Sequence, residues 1–167
     1  MIRRAAPGDA VALAQLQVRT LWATYGPYVE HDKIAAVLPR LEPGWRERLA
    51  PRADGLEVWV SEQDGVIDGW VTVGPSRDPD ARPGDGELHA IYVEPERIGT
   101  GLGRALLARA EERLDATDHP AATLWTLTPN TQARAFYERH GWTEDERPGD
   151  NPYADWSPSV RYRKVLS

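Results

Sequence analysis

The chain has 167 residues, ordinary apolar content, a net charge of −6 and no cysteine. That length suits one domain spanning residues 1–167, with room for a real core. The acidic balance and lack of a long basic run argue against a nucleic-acid partner, and the missing cysteines exclude disulfides, cysteine-ligated zinc and a cysteinyl acyl-enzyme.

Ile2–Ala5 is expected to be a first strand. Pro7-Gly8-Asp9 turns the chain, with Asp9 expected to cap the following helix. Val11, Ala14, Val18, Leu21, Trp22 and Tyr25 recur at helical spacing, and Gly26-Pro27 ends that helix. A second helix is expected from about Asp32 to Leu38, and a short third through Trp45–Leu49, before a loop from Pro51 to Gly55. Leu56–Val60 and Val66–Val73 read as strands joined in a hairpin at Gln63-Asp64-Gly65. Ser76–Asp85 reads as an exposed loop and Glu87–Val93 as the central strand. Leu102, Leu106, Ala110 and Leu114 mark one helix face running to about Ala116, and Thr123–Leu127 is expected to be a buried strand. A last helix, terminated by Gly141, is followed by a loop over Arg147–Pro158 and a final strand over Val160–Val165.

No apolar run approaches the roughly 20 residues of a membrane span. The first residues, Met1-Ile2-Arg3-Arg4, are too short and polar a stretch for a signal peptide, so a cytoplasmic location is expected. Strands interleaved with helices give a mixed α/β class.

The most informative stretch is Ala90–Leu107. Ile91-Tyr92-Val93 leads through Pro95 to Gly99-Thr100-Gly101-Leu102-Gly103, and an amphipathic helix follows directly. Alternate glycines let backbone N–H groups turn toward one point, and the helix N-terminus adds partial positive charge, which suits a phosphate or pyrophosphate. A dinucleotide loop fits poorly, because Pro95 intervenes and the third glycine comes too early. A triphosphate loop requires Gly-Lys-Ser/Thr, whereas Gly103 precedes Arg104-Ala105.

A second motif, Asn130-Thr131-Gln132-Ala133-Arg134-Ala135-Phe136-Tyr137-Glu138-Arg139-His140-Gly141-Trp142, resembles the N-x-x-A-x-x-F-Y-x-x-x-G-[FW] signature of the GCN5-related N-acetyltransferases, the GNAT family. The segment from Val93 to Gly103 resembles the same family's acetyl-CoA loop, V-x-P-x-x-[QR]-G-x-G-x-G. Ile98 stands where that pattern has Gln or Arg, with Arg97 one residue early. The resemblance implies a mixed, mostly antiparallel sheet flanked by helices and splayed where acetyl-CoA lies.

It also implies a set of site residues. Ile91, Tyr92, Val93, Ile98, Gly99, Thr100, Gly101, Leu102, Gly103, Arg104, Asn130 and Tyr137 would hold acetyl-CoA, which leaves as CoA. Tyr137 would be the general acid that protonates the departing thiolate. Glu87, at the family's acidic position, and His89, on the same face of the strand, are alternative bases for the amine. The acceptor would be a primary amine of a small molecule or peptide, contacted by Trp22, Tyr25, Tyr28 and Glu87. Tyr153, Trp156 and the carboxylates of Glu30, Asp32, Asp145, Glu146, Asp150 and Asp155 suggest that it is cationic. No metal spacing is readable, so no metal is expected. A homodimer is compatible with this reading, a membrane partner is not, and a non-catalytic CoA-binding module is the competing class.

Overall fold

The computed structural model describes residues 1–145 and 156–166. The described residues form a seven-stranded sheet in the order β1-β2-β3-β4-β5-β7-β6. The strands are β1 (Ile2–Arg4), β2 (Glu57–Gln63), β3 (Val66–Pro75), β4 (Gly86–Val93), β5 (Ala121–Leu127), β6 (Thr143–Asp145) and β7 (Ser159–Val165). Every neighbouring pair is antiparallel except β4–β5. The helices are α1 (Ala10–Tyr25), α2 (His31–Val37), α3 (Leu41–Leu49), α4 (Leu102–Ala116) and α5 (Thr131–Arg139).

Helices cover both faces of the sheet, so the central strands are buried on both sides and lose strict alternation. On one face Leu106, Leu107, Ala110 and Leu114 of α4 join Tyr137 and Trp142 against Val71, Val73, Leu88 and Leu124. On the other face Leu13 and Leu16 of α1 and Trp45 of α3 pack on Val58, Val60 and Trp70. The indole of Trp45 meets that of Trp70 edge-on, with ring centroids 4.7 Å apart.

One sequence expectation changes and one strand is added. Asp9 does not cap α1 with its side chain. Its carboxylate turns back to accept from the Ala6 N–H at 2.7 Å and from Arg3 at 2.8 Å, so the ion pair with β1 captures the group first. The edge strand β6 carries no expectation from sequence, because Thr143-Glu144-Asp145 has no apolar alternation; it is defined by pairing with β7 alone.

The loop between β3 and β4 is pinned by one buried cation. Arg161 of β7 reaches Asp80 at 2.6 Å, Asp145 at 2.8 Å and Asp78 at 3.3 Å. Asp78 in turn accepts from Thr123 Oγ1 and Trp125 Nε1 of β5, both at 2.8 Å. With a side chain only 3 % exposed, Arg161 compensates Asp78 and Asp145, which have little water, while Asp80 is more open. Arg161→Met is therefore expected to lower stability by about 3–5 kcal/mol, the typical cost of removing one partner of a buried ion cluster. Urea unfolding measures it; a loss below about 1 kcal/mol, as for a surface pair, would contradict this account of the loop.

Candidate active site

The site begins with an irregularity in β4. Across the β3–β4 pair Val73 faces Leu88 and Thr72 faces Ala90, so His89 is an extra residue without a partner. A bulge bends its strand and increases the local twist. On the other edge of β4 the parallel register with β5 covers only Gly86↔Ala122 and Glu87↔Thr123. Beyond Glu87 the two strands diverge, while β5 continues along β7 to Leu127↔Ser159. The sheet is thus splayed, and the β4 backbone from Leu88 onward borders a gap rather than a strand.

A cleft of about 470 Å³ occupies this splay. Its walls include Ile91, Tyr92, Val93, Ile98, Gly99, Gly101, Gly103, Arg104, Asn130 and Tyr137, together with Tyr25 and Tyr28. The sequence motifs therefore converge on one cavity. Thr100 and Leu102 do not line it. The Thr100 hydroxyl closes on the Arg97 carbonyl at 2.7 Å, and the Leu102 side chain joins the core under α4.

The glycine turn shapes one end of the cleft. Gly99 and Gly101 have φ of +82° and +90°, which side chains disfavour, and a Cβ at either would meet nothing within 4 Å. They leave an open cradle. The first α4 bond runs from the Ala105 N–H to the Gly101 carbonyl at 3.1 Å. The N–H groups of Leu102, Gly103 and Arg104 precede it and belong to the first turn, which seeks acceptors from outside the helix. On the facing wall Asn130 caps α5 by accepting from the Ala133 N–H at 3.1 Å. Tyr137, 7 % exposed, packs its ring against Phe136 and Tyr162 with centroids 5.3 and 6.2 Å away.

Glu87 and His89 part company. Glu87 is 2 % exposed and lines neither cavity described in this section. It accepts from the Arg77 backbone N–H at 2.9 Å and from the Arg77 guanidinium at 2.5 and 3.2 Å. Burial alone would raise its pKa, but the guanidinium and backbone N–H of Arg77 outweigh burial and hold it below the usual carboxylate range. Held as an anion by Arg77, this carboxylate is a weak base, and it is enclosed away from the cavity walls. Glu87 is thus set apart from the cavity walls, where its contact with substrate was expected.

His89 lies in the bulge and lines the cleft. Its Nε2 is 3.1 Å from the Pro75 carbonyl and 3.8 Å from Glu87 Oε2. A carbonyl only accepts, so Nε2 carries the hydrogen and Nδ1 keeps the lone pair. Burial depresses the His89 pKa; the Glu87 charge opposes that shift and Arg77 adds to it. The ring is therefore neutral at neutral pH.

A second cavity, of about 790 Å³, lies on the α1–α3 face of the sheet. It shares Tyr25, His89, Ala90 and Tyr92 with the cleft, so the two spaces meet at the bulge. The hydroxyls of Tyr25 and Tyr92 bond to each other at this junction. The remaining acceptor expectations fare less well. Trp22 leaves both cavities and packs edge-on to His31 at 5.3 Å. Glu30 is exposed beside Lys33, Asp32 is exposed on α2, and Asp145 is held by Arg161. Charge on these residues is solvated or paired, so they supply no anionic lip. Glu146, Asp150, Tyr153 and Asp155 lie outside the described residues.

Sequence reasoning missed the walls that carry no motif. Thr24 and Pro27 at the end of α1, Trp125 and Thr126 of β5, and Arg139 all border the cleft. Only the tertiary meeting of α1 with the splay brings them there. Pro75 and Arg77, which orient and tune His89 and Glu87, sit across the hairpin from them and have no signature of their own.

The sequence profile of the acetyltransferase (GNAT) family matches residues 17–142, which is most of the chain. The chain belongs to that family. Among relatives of this GNAT chain, the L-amino acid N-acyltransferase MnaT of Escherichia coli is 33 % identical, over 71 % of this chain and 65 % of that protein. A mycothiol acetyltransferase of Cellulomonas flavigena is 29 % identical over 83 % of this chain and 51 % of its own length. The chain thus spans about half of that relative, and 27 % of the one from Acidimicrobium ferrooxidans. In fold, the PaiA N-acetyltransferase of Thermoplasma acidophilum, solved with coenzyme A, superposes with a TM-score of 0.82 at 16 % identity, covering 99 % of this GNAT chain and 98 % of that one.

Proposed function

We propose that the chain is an acetyl-CoA-dependent N-acetyltransferase that passes the acetyl group directly to a primary amine of a small molecule or peptide. The observation that carries this reading is the junction at the bulge. A cleft with an open glycine cradle at one end meets a second cavity at a neutral, oriented histidine, with Tyr137 on the cleft wall. Acetyl-CoA supplies an acetyl thioester, an activated acyl group. The cradle suits its pyrophosphate, because the φ of Gly99 and Gly101 exposes backbone without a Cβ, and the open β4 edge suits an extended amide-bearing arm.

The chain's own groups then divide the proton work. The acceptor enters as an ammonium and must lose a proton before its nitrogen can form the new C–N bond. His89 Nδ1 accepts that proton, directly or through one water. The C–S bond breaks as the amide forms, and Tyr137 Oη gives its proton to the sulfur. A neutral phenol, with reference pKa about 10, retains its proton until the thiolate develops. In balance, an ammonium and a thioester give an amide, a thiol and one proton. With no cysteine in the chain, no cysteinyl acyl-enzyme takes part.

The cradle gives a direct test. Gly101→Leu places a side chain in the cradle and asks a branched residue to adopt φ of +90°. Acetyl-CoA is expected to raise the melting temperature of the wild type by mass action, and the shift should largely vanish in the variant. Equal shifts with ATP, NAD and acetyl-CoA would reject the assignment of the cleft. Transfer itself is tested by thiol release from acetyl-CoA across amino acids, peptides, polyamines and aminoglycosides. Binding without transfer to any amine would favour a CoA-binding module instead.

A further inference from the structure

The splayed sheet has a closed end, and one side chain stands across it. β4 and β5 pair only at Gly86↔Ala122 and Glu87↔Thr123, so the cofactor cleft narrows to a vertex just beyond that pair. Of the residues that line the cleft, Leu88 and His89 of β4 and Trp125 of β5 stand nearest the vertex. Behind them Glu87, Thr123 and Leu124 are buried, and the wedge becomes solid core.

Trp125 is fixed in that place. Residues 123 and 125 share one face of β5, since alternate residues do. Asp78 accepts from Thr123 Oγ1 with one carboxylate oxygen and from the Trp125 indole N–H with the other, both at 2.8 Å. Because Thr123 is at the vertex, the shared carboxylate draws the indole back toward it rather than out along the cleft. Asp78 is itself held by Arg161, whose guanidinium lies 5.9 Å from the centre of the Trp125 ring. A hydrogen bond to a charged group at the ring edge and a cation over the ring restrain the indole together.

We propose that Trp125 is the end wall of the acyl site and the residue that favours acetyl over longer acyl groups; this rests on the transferase reading above. The glycine cradle lies beyond the far end of β4, and an extended arm along the open β4 edge runs from there back toward Leu88. That line brings the thioester beside His89 and aims its acyl group at the indole. The second cavity opens sideways at His89 and is lined by neither Trp125 nor Thr126. It is the side from which the amine reaches the carbonyl. A chain longer than acetyl must therefore displace an indole with two fixed partners, and close-packed protein yields poorly to added methylenes.

The test compares acetyl-, propionyl- and butyryl-CoA by thiol release, with the amine that the wild type acetylates fastest. Binding of S-ethyl-CoA and S-butyl-CoA, thioethers with no carbonyl to attack, is read in parallel by calorimetry. Wild-type kcat/KM is expected to fall by at least about 10-fold from acetyl- to butyryl-CoA, the scale on which a fitted pocket discriminates methylenes. S-butyl-CoA should likewise bind more weakly than S-ethyl-CoA. In Trp125→Ala both preferences should fall towards one, and Trp125→Leu, which keeps an apolar side chain on the strand, should lie between. The CoA-induced thermal shift reports that each variant is folded.

Equal kcat/KM for acetyl- and butyryl-CoA in the wild type would overturn the inference and leave the transferase reading in place. So would a preference for acetyl that is unchanged in both variants. Thioether discrimination that Trp125→Ala erases, with no transfer from any acyl-CoA to any amine, would overturn the transferase reading and leave the wall assignment standing. Failure of both thioethers to bind the wild type would overturn both.

Discussion

Tyr137→Phe is expected to lower kcat by about 10²- to 10⁴-fold, the usual range for a positioned general acid, while acetyl-CoA affinity changes little. The asymmetry follows from what the residue does in the structure. Its ring is a packing element, held between Phe136, Trp142 and Tyr162, and phenylalanine keeps that contact surface. Only the proton donor is lost. Thiol release under saturating substrates measures kcat, and a thermal shift with acetyl-CoA measures retention of the cofactor site. Unchanged turnover would mean that water protonates the thiolate, and Tyr137 would then be a core residue that borders the cleft.

The second large effect concerns His89→Gln. General base catalysis is worth a similar 10²- to 10⁴-fold, but its pH dependence carries the information. The wild-type advantage should be greatest near neutral pH. It should shrink as pH falls through the depressed pKa of His89, where the ring protonates and stops accepting. It should shrink again at high pH, where the amine deprotonates unaided. A constant ratio at every pH would assign His89 to positioning.

Glu87→Gln separates the two acidic-strand candidates. The Glu87 charge raises the His89 pKa, so its removal should move the acid limb to lower pH rather than abolish activity. The same shifts act on stability. A histidine whose folded pKa is lowered costs nothing above its unfolded value of about 6.5 and destabilises progressively below it. A carboxylate whose folded pKa is lowered contributes above its unfolded value and loses that contribution as pH falls through the folded one. Both directions make the melting temperature drop on acidification.

Much of this was legible in the sequence, and the illegible part has particular causes. The glycine turn and the Asn130–Trp142 helix are local, so their geometry travels with the residues. The order of strands and helices was also readable, because each has its own periodicity or turn signal. The bulge left a trace that alternation alone obscures. Leu88 faces α4, and so do Ile91 and Val93, although their positions differ in parity. Regular pleating cannot put 88, 91 and 93 on one face, and one extra residue resolves it. The fate of Glu87 left no trace, because Arg77 reaches it from the loop between β3 and β4, ten residues earlier in the chain. Among the expected acceptor contacts Tyr25 and Tyr28 line the cleft, and the others met the same limit. Glu30, Asp32 and Trp22 were chosen by residue type, but α2 and the end of α1 point them to solvent or to each other's elements.

The central claim is direct transfer at the junction of the two cavities. The most direct measurement is a single incubation of the protein with acetyl-CoA, with and without an amine acceptor, in which free thiol, acetylated amine and intact protein mass are quantified together. Direct transfer requires thiol and acetylated amine in equal amounts, both only when the amine is present, with the protein mass unchanged. Thiol release that ignores the amine, or an acetylated protein that forms without it and passes its acetyl group on, would contradict the account.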